Sequence, residues 1–217
     1  MRFAKEAWPF VLPFAAASGL LLGLGRRSLG AASAVTGLGV LLFFRDPDRW
    51  FDGDPSTVIA AADGVVTGVD VVEDPAVADG PMQRIVTFLS AFDVHVQRTP
   101  VAGRVVASRF YPGRKVAAFR ADAGDVNECQ LTVIERSGEH AGDRIGVRQL
   151  AGLMARRVVG YLETGDVVDQ GQHLGVIKFG SRVDLLVPEH YEILVAKGDR
   201  LRNGETPMAR PPRASSE

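Results

Sequence analysis

The stretch Glu163-Thr-Gly-Asp-Val-Val-Asp-Gln-Gly-Gln-His-Leu-Gly-Val-Ile177 decides how this chain is read. Glycines at 165, 171 and 175 punctuate two short apolar runs, the pattern of strands joined by a tight reversal. Glycine at such a point lets the backbone turn between two sheets where a side chain would collide. Outward from this stretch, from Arg45 onward, the pattern recurs: short Val-rich runs of period two, separated by Gly, Pro and Asp. The spacing predicts strands at 58–61, 65–72, 83–90, 94–97, 104–111, 131–135, 144–149, 174–178, 183–187 and 192–195. Residues 150–159 are compatible with a helical turn or another strand. The expected fold is mainly β, a barrel-sandwich-like domain over 46–205 with few short helices. The Pro-, Arg-, Ala- and Ser-rich tail over 206–217 reads as disordered.

The 163–177 stretch resembles the turn and strand of lipoyl-like barrel sandwiches. The likeness concerns shape and not function. Carrier domains of that kind expose a lysine at a hairpin tip, whereas Lys178 lies in an apolar run just before Phe179.

The N-terminus follows different rules. Between Trp8 and Phe44 the only charges are Arg26 and Arg27, which divide the segment into apolar runs at 8–25 and 28–44. As helices these would reach about 27 and 25 Å, near the lower limit for crossing a bilayer. Pro9 and Pro13 fall early in the first helix, where a missing amide donor matters least. Residues 1–45 carry five basic side chains against one acidic, so the positive excess lies where lipid headgroups would be. A membrane-associated helical hairpin over 1–45, at the cytoplasmic membrane, is the expectation; a buried hairpin and a cleaved signal peptide are the alternatives. Basic residues before and between the runs leave the orientation undetermined.

Composition narrows the classes further. Of 217 residues, 46% are hydrophobic and 24% charged, which suits a folded domain. With 25 basic and 26 acidic residues the chain lacks the broad positive field of a nucleic-acid binder, and no nucleic-acid partner is expected. The single cysteine, Cys129, can form neither an intrachain disulfide nor a Cys-rich zinc site, and no metal is expected.

Reactive chemistry has few places to reside. Gly180-Ser181 is the only Gly-Ser pair in the chain. A serine hydroxyl can attack the carbonyl before it, and glycine on that side has no Cβ to obstruct the approach. The peptide becomes an ester; elimination then leaves a dehydroalanine, which hydrolyses to a pyruvoyl group and ammonia. Most Gly-Ser pairs are simply turns, so the pair needs a base beside it. Of the four histidines, His95 has the strongest setting, between strand formers in Phe88-Leu-Ser-Ala-Phe-Asp-Val-His-Val-Gln-Arg-Thr-Pro100. His140, His173 and His190 read as surface residues. Asp63, between Ala60-Ala-Ala and Gly64, is either a turn cap or a site carboxylate.

Several runs together resemble the phosphatidylserine decarboxylase proenzymes, in particular their short prokaryotic form. They are Phe44-Arg-Asp-Pro-Asp-Arg49, Ala62-Asp-Gly64, the His95 segment through Thr99-Pro-Val-Ala-Gly103, and Asn127-Glu128. The run Arg148 to Tyr161, Gly165-Asp, Gly171-Gln-His-Leu-Gly and Lys178-Phe-Gly-Ser-Arg-Val-Asp-Leu185 complete the set, in order over about 43–205.

The resemblance implies a self-cleaving, membrane-bound enzyme that converts phosphatidylserine to phosphatidylethanolamine and CO2. By that likeness the β chain ends at Gly180 and the α chain of the same proenzyme begins at Ser181, converted to a covalent pyruvoyl group. Asp63, His95 and Ser181 would be the catalytic set. The keto group would take the substrate amine as a Schiff base and accept electrons as CO2 leaves, with His95 returning a proton. Longer family members carry a second histidine where this chain has Arg98, so either His95 serves both maturation and turnover, the favoured reading, or maturation uses another base. Cys129 stands where arginine is more usual, and a small buried residue is its plain reading. Arg98, Lys178 and Arg182 are candidate donors to the substrate phosphate. A homo-oligomer is compatible with the chain. The competing reading is a membrane-anchored, non-catalytic barrel-sandwich adaptor or carrier module with an intact Gly180–Ser181 bond.

Overall fold

The computed structural model describes residues 1–114, 116, 126–152, 157–178 and 181–212, with the side chain of Ser181 outside the description. The chain divides into two units, Met1–Asp48 and the remainder from Arg49.

In the first unit, β1 (Arg2–Phe3) pairs antiparallel with β2 (Arg45–Asp46), and two helices lie between them, α1 (Trp8–Gly23) and α2 (Arg27–Phe43). A short 3-10 turn leads into α1, and together Lys5–Gly23 form a 19-residue helix of mean hydropathy 1.3, long and apolar enough to cross a membrane. The helix α2 is apolar but shorter. Pro9 sits in the first turn of α1, as expected; Pro13 lies inside the helix, where it forfeits one amide donor. The helices meet through small residues. Gly30 and Gly37 are buried on α2, Ser18 Oγ donates to Gly30 O at 2.9 Å, and Ser33 Oγ donates to Phe14 O at 2.9 Å.

The second unit is mainly β, in agreement with the sequence pattern. Its strands are β3 (Val58–Ile59), β4 (Gly64–Glu73), β5 (Pro81–Leu89), β6 (Val96–Arg98), β7 (Gly103–Tyr111), β8 (Cys129–Arg136) and β9 (Arg144–Ala151). They continue with β10 (Arg157–Gly160), β11 (Val167–Val168), β12 (His173–Lys178), β13 (Ser181–Pro188), β14 (Glu192–Ile193), β15 (Arg200–Leu201) and β16 (Pro207–Arg210). An eight-stranded antiparallel sheet runs β11-β7-β8-β9-β13-β5-β4-β15, and the smaller sheets run β10-β12-β6 and β14-β16-β3. Register shifts at Val66/Gly68 and Val105/Ala107 bend the long hairpins. The main core joins Val66, Ile85, Val147, Val183 and Leu185 of the large sheet to Leu174 and Ile177 of β12 and to Val58 and Ala209 of the third sheet. This is the sandwiching of sheets expected from the 163–177 reversal. On the other face of the large sheet, Val77 packs with Met82, Leu131, Val133 and Leu186.

Two regions differ from the sequence reading or complete it. The tail expected to be disordered from 206 contains β16, whose Met208 and Ala209 are buried and which pairs with both β3 and β14. Its polar flanks concealed a two-residue apolar centre that the third sheet needs; residues 213–217 lie outside the described set. The open stretch at 150–159 holds the end of β9 and the start of β10, with 153–156 outside the described residues.

Candidate active site

Asp63 occupies a buried bend. Gly64 follows at φ 145°, and a Cβ there would stand 2.2 Å from Phe88 O, so only glycine lets the chain enter β4 this closely. The Asp63 carboxylate is gripped by both terminal nitrogens of Arg49, with Nη2 to Oδ2 at 3.0 Å and Nη1 on Oδ1. Asn203 N donates to Oδ1 at 2.8 Å, and Val94 N approaches Oδ2 at 3.4 Å. A carboxylate withdrawn from water persists only when paired and hydrogen-bonded in this way. Through the Val94 amide, Asp63 meets the peptide beside His95.

His95 is fully buried in the segment linking β5 to β6. The preceding turn is fixed by Asp93, whose Oδ2 accepts from Ser90 N and Oγ at 2.8 and 2.7 Å and whose Oδ1 accepts from Arg200 Nη2 at 2.7 Å. His95 Nδ1 lies 2.9 Å from Asp93 O. A carbonyl can only accept, so Nδ1 carries the proton and Nε2 is the basic nitrogen of the neutral ring. The His95 carbonyl accepts from Ile177 N at 3.1 Å and from Gln97 Nε2 at 2.8 Å, and Gln149 Nε2 donates to Gln97 Oε1 at 2.9 Å.

Ser181 opens β13, opposite Leu89 of β5 on one side and Ala151 of β9 on the other. Ala151 is itself held by the Asn127-Glu128 pair: Asn127 Nδ2 donates to its carbonyl at 2.7 Å and its amide donates to Glu128 O at 2.9 Å. Gly180 lies outside the described residues. Main-chain connections bring the two ends of the site together. His95 is bonded to Ile177, four residues before Ser181, and Leu89, the β5 partner of Ser181, begins the turn that leads to His95.

The three expected phosphate donors fare differently. Arg182 is buried and forked onto Asp184, Nε to Oδ1 at 2.6 Å and Nη2 to Oδ2 at 2.8 Å, so its donors turn to its own strand. Burial pushes the Asp184 carboxyl above its ordinary range, against the pull of Arg182, Arg84 and Arg148. Arg98, in place of a second histidine, donates from Nη1 to Gly171 O at 2.9 Å, and its Cδ passes 2.9 Å from where a Cβ would stand on Gly204. Lys178 is half-buried at the end of β12, opposite Arg157. His140 and His173 are half-buried and His190 is exposed. Among the described residues, no group of three or more His, Cys, Asp or Glu is placed to hold a metal ion.

Sequence reasoning did not single out Arg49 or Asn203 as partners of Asp63. Arg49 ends a run already matched to the family, but its partner is visible only after the chain closes. Asn203 lies in a turn with no distinguishing pattern.

Residues 38–209 match the family model described as phosphatidylserine decarboxylase. The phosphatidylserine decarboxylase proenzyme of Symbiobacterium thermophilum is 41% identical over 209 residues, covering 96% of this chain and 95% of the relative. That of Erythrobacter litoralis is 38% identical over 227 residues, 95% of this chain and 90% of the relative. That of Nocardia farcinica is 41% identical over 207 residues, 93% and 84% respectively. With the matched family extending over both the Asp63–His95 side and the strand opened by Ser181, this chain belongs to the phosphatidylserine decarboxylases, a family of enzymes.

Proposed function

We propose that the chain is a self-processing proenzyme cut between Gly180 and Ser181, which converts phosphatidylserine to phosphatidylethanolamine and CO2 at the cytoplasmic membrane. The observation that carries this reading is the tautomer of His95. With Nδ1–H donated to Asp93 O, Nε2 is the ring's basic nitrogen, and its main chain is tied to the strand that leads into the cleavage point.

In maturation, His95 Nε2 takes the Ser181 hydroxyl proton as the oxygen attacks the Gly180 carbonyl carbon. The Gly180–Ser181 C–N bond breaks and the freed nitrogen regains a proton, leaving an ester. Loss of the Ser181 α-proton then breaks the Cβ–O bond, releasing Gly180 as a new C-terminal carboxylate and leaving a dehydroalanine, and water replaces its nitrogen, lost as ammonia, to give the keto group. Asp63 acts on the main chain, its carboxylate facing the Val94 amide so that the His95 ring keeps its position. A pyruvoyl group fits the head of β13, because a strand paired on both edges fixes its first residue. Once formed, that group supplies an electron-withdrawing carbonyl for the substrate amine and the electrons left by CO2. His95 returns the proton to the substrate carbon. Lys178, at the end of β12, is the donor best placed in sequence for the phosphate, and Asp184 already occupies the Arg182 fork. The apolar Lys5–Gly23 helix supports anchoring at the lipid surface.

Intact mass under denaturing conditions tests the reading. The expected result is two species, residues 1–180 and a 37-residue remainder lighter by one ammonia than a serine-started peptide, with Ser181→Ala a single chain without CO2 release. An uncut wild-type chain of 217 residues would favour the non-catalytic module instead.

A further inference from the structure

We infer that Arg49 and Asn203 are positioning residues for His95, acting through Asp63 and through the main chain on both sides of the histidine. This rests on the reading of the site given above. The cluster clamps the histidine segment at two points. Asp63 Oδ2 faces Val94 N, the residue before His95, and Asn203 Nδ2 donates to Val96 O, the residue after it, at 2.8 Å. Arg49 closes the cluster. Besides gripping Asp63, its Nη1 donates to Asn203 O at 3.1 Å and Oδ1 at 3.2 Å. The side chains of Arg49 and Asp63 are 6 and 10% exposed and Asn203 is 1% exposed, so water does not compete for these bonds.

The three residues come from both sides of the cleavage point. Arg49 and Asp63 precede residue 180, whereas Asn203 follows it by 23 positions. The turn bearing Asn203 is fastened to the segment ahead of Asp63, with Gly204 N donating to Ala60 O at 2.9 Å and Ala60 N to Thr206 O at 2.8 Å. The C-terminal fragment therefore supplies two things to one reaction: the residue that is processed and a side chain that holds the base. Arg49 balances the charge of Asp63 and Asn203 fixes its direction, and Asp63 in turn holds the peptide amide just before His95.

The test compares Asn203→Ala and Arg49→Lys with wild type in the full-length protein. Three readouts are followed: the rate of chain cleavage by intact mass, kcat and KM for CO2 release by the cleaved fraction, and the thermal midpoint. Removing the Asn203 amide while keeping its backbone N–H should slow cleavage and lower kcat by about tenfold each, with KM unchanged and the midpoint lowered by only a few degrees. Arg49→Lys keeps the cation but loses the fork, and should fall between wild type and Asn203→Ala. If both variants fold and then cleave and turn over at wild-type rates, the inference is overturned. Equally fatal is a loss of soluble folded protein with full kcat in the fraction that matures, since that is a structural role alone. If Asn203→Ala does not fold, Arg49→Lys decides by the same two rates. A wild-type chain that never cleaves would instead remove the proposed function beneath the inference.

Discussion

In the helical pair, several large apolar side chains face outward while small ones line the seam: Leu20, Leu38 and Val35 are 65, 55 and 70% exposed, while Ser18, Gly30 and Gly37 are buried. In the β unit the sorting is reversed. Ile85, Leu89, Leu174, Ile177 and Leu185 are enclosed, and the buried carboxylates of Asp63 and Asp184 are matched by arginine partners. Water cannot favour both arrangements. Exposed leucine around a seam of glycine and serine suits surroundings as apolar as the side chains, where close backbone approach and not hydrophobic burial holds helices together. If the helical pair lies in lipid, as proposed above, one chain carries two solvent assignments, and each region should respond differently to the same chemical insult.

The sharpest way to break the comparison is to place one substitution in both regions. Leu185→Asp puts an unpaired charge in the main core and should destabilise the β unit by more than about 4 kcal/mol, read as loss of soluble folded protein. Leu38→Asp should leave the thermal midpoint of the β unit unchanged and weaken partitioning into phospholipid vesicles, by up to about 3 kcal/mol if the site lies at mid-bilayer. Equal damage from both would mean the two regions share one solvent.

Next in size is the buried ion pair. Asp184→Ala strands the Arg182 charge and should cost about 3–5 kcal/mol in denaturant unfolding, whereas Asp184→Leu with Arg182→Met should recover most of it. A double variant no better than the single one would show that the pair is needed for more than mutual neutralisation.

The smallest effect concerns Cys129, whose thiol burial pushes up to about 12 from an ordinary 9.0. The unfolded thiol ionises first, so the stability this group contributes is fully present below pH 9.0 and is lost as pH rises toward about 12. The difference in thermal midpoint between wild type and Cys129→Ala should drift in that window and be flat at neutral pH.

The same contrast explains what the sequence made legible. Runs such as Val65–Val72 and Val183–Val187 announce strands because one face must be apolar, and the helices announce themselves because nearly every residue is. Strand β16 escaped notice since Pro207 and Arg210 frame a centre of only Met208 and Ala209. Arg182 illustrates a signal that was present but unread. Arg-Val-Asp places its ends two apart on a strand, hence on one face, and the fork onto Asp184 follows. The grip of Arg49 and Asn203 on Asp63 had no such local trace, because those contacts span 14 and 140 residues of sequence.

Strand β13 has one more consequence. It is laddered along both edges, eight residue pairs to β5 and six to β9, and it begins where the proposed cut falls. Before the cut, unfolding is a first-order event in a single molecule. Afterwards the same melting yields two separate molecules, and the return journey becomes second order. The thermal midpoint of the processed protein should then climb with protein concentration by the law of mass action, while that of Ser181→Ala stays fixed. Processing would thus exchange an intrinsic stability for one that depends on how much of the protein is present.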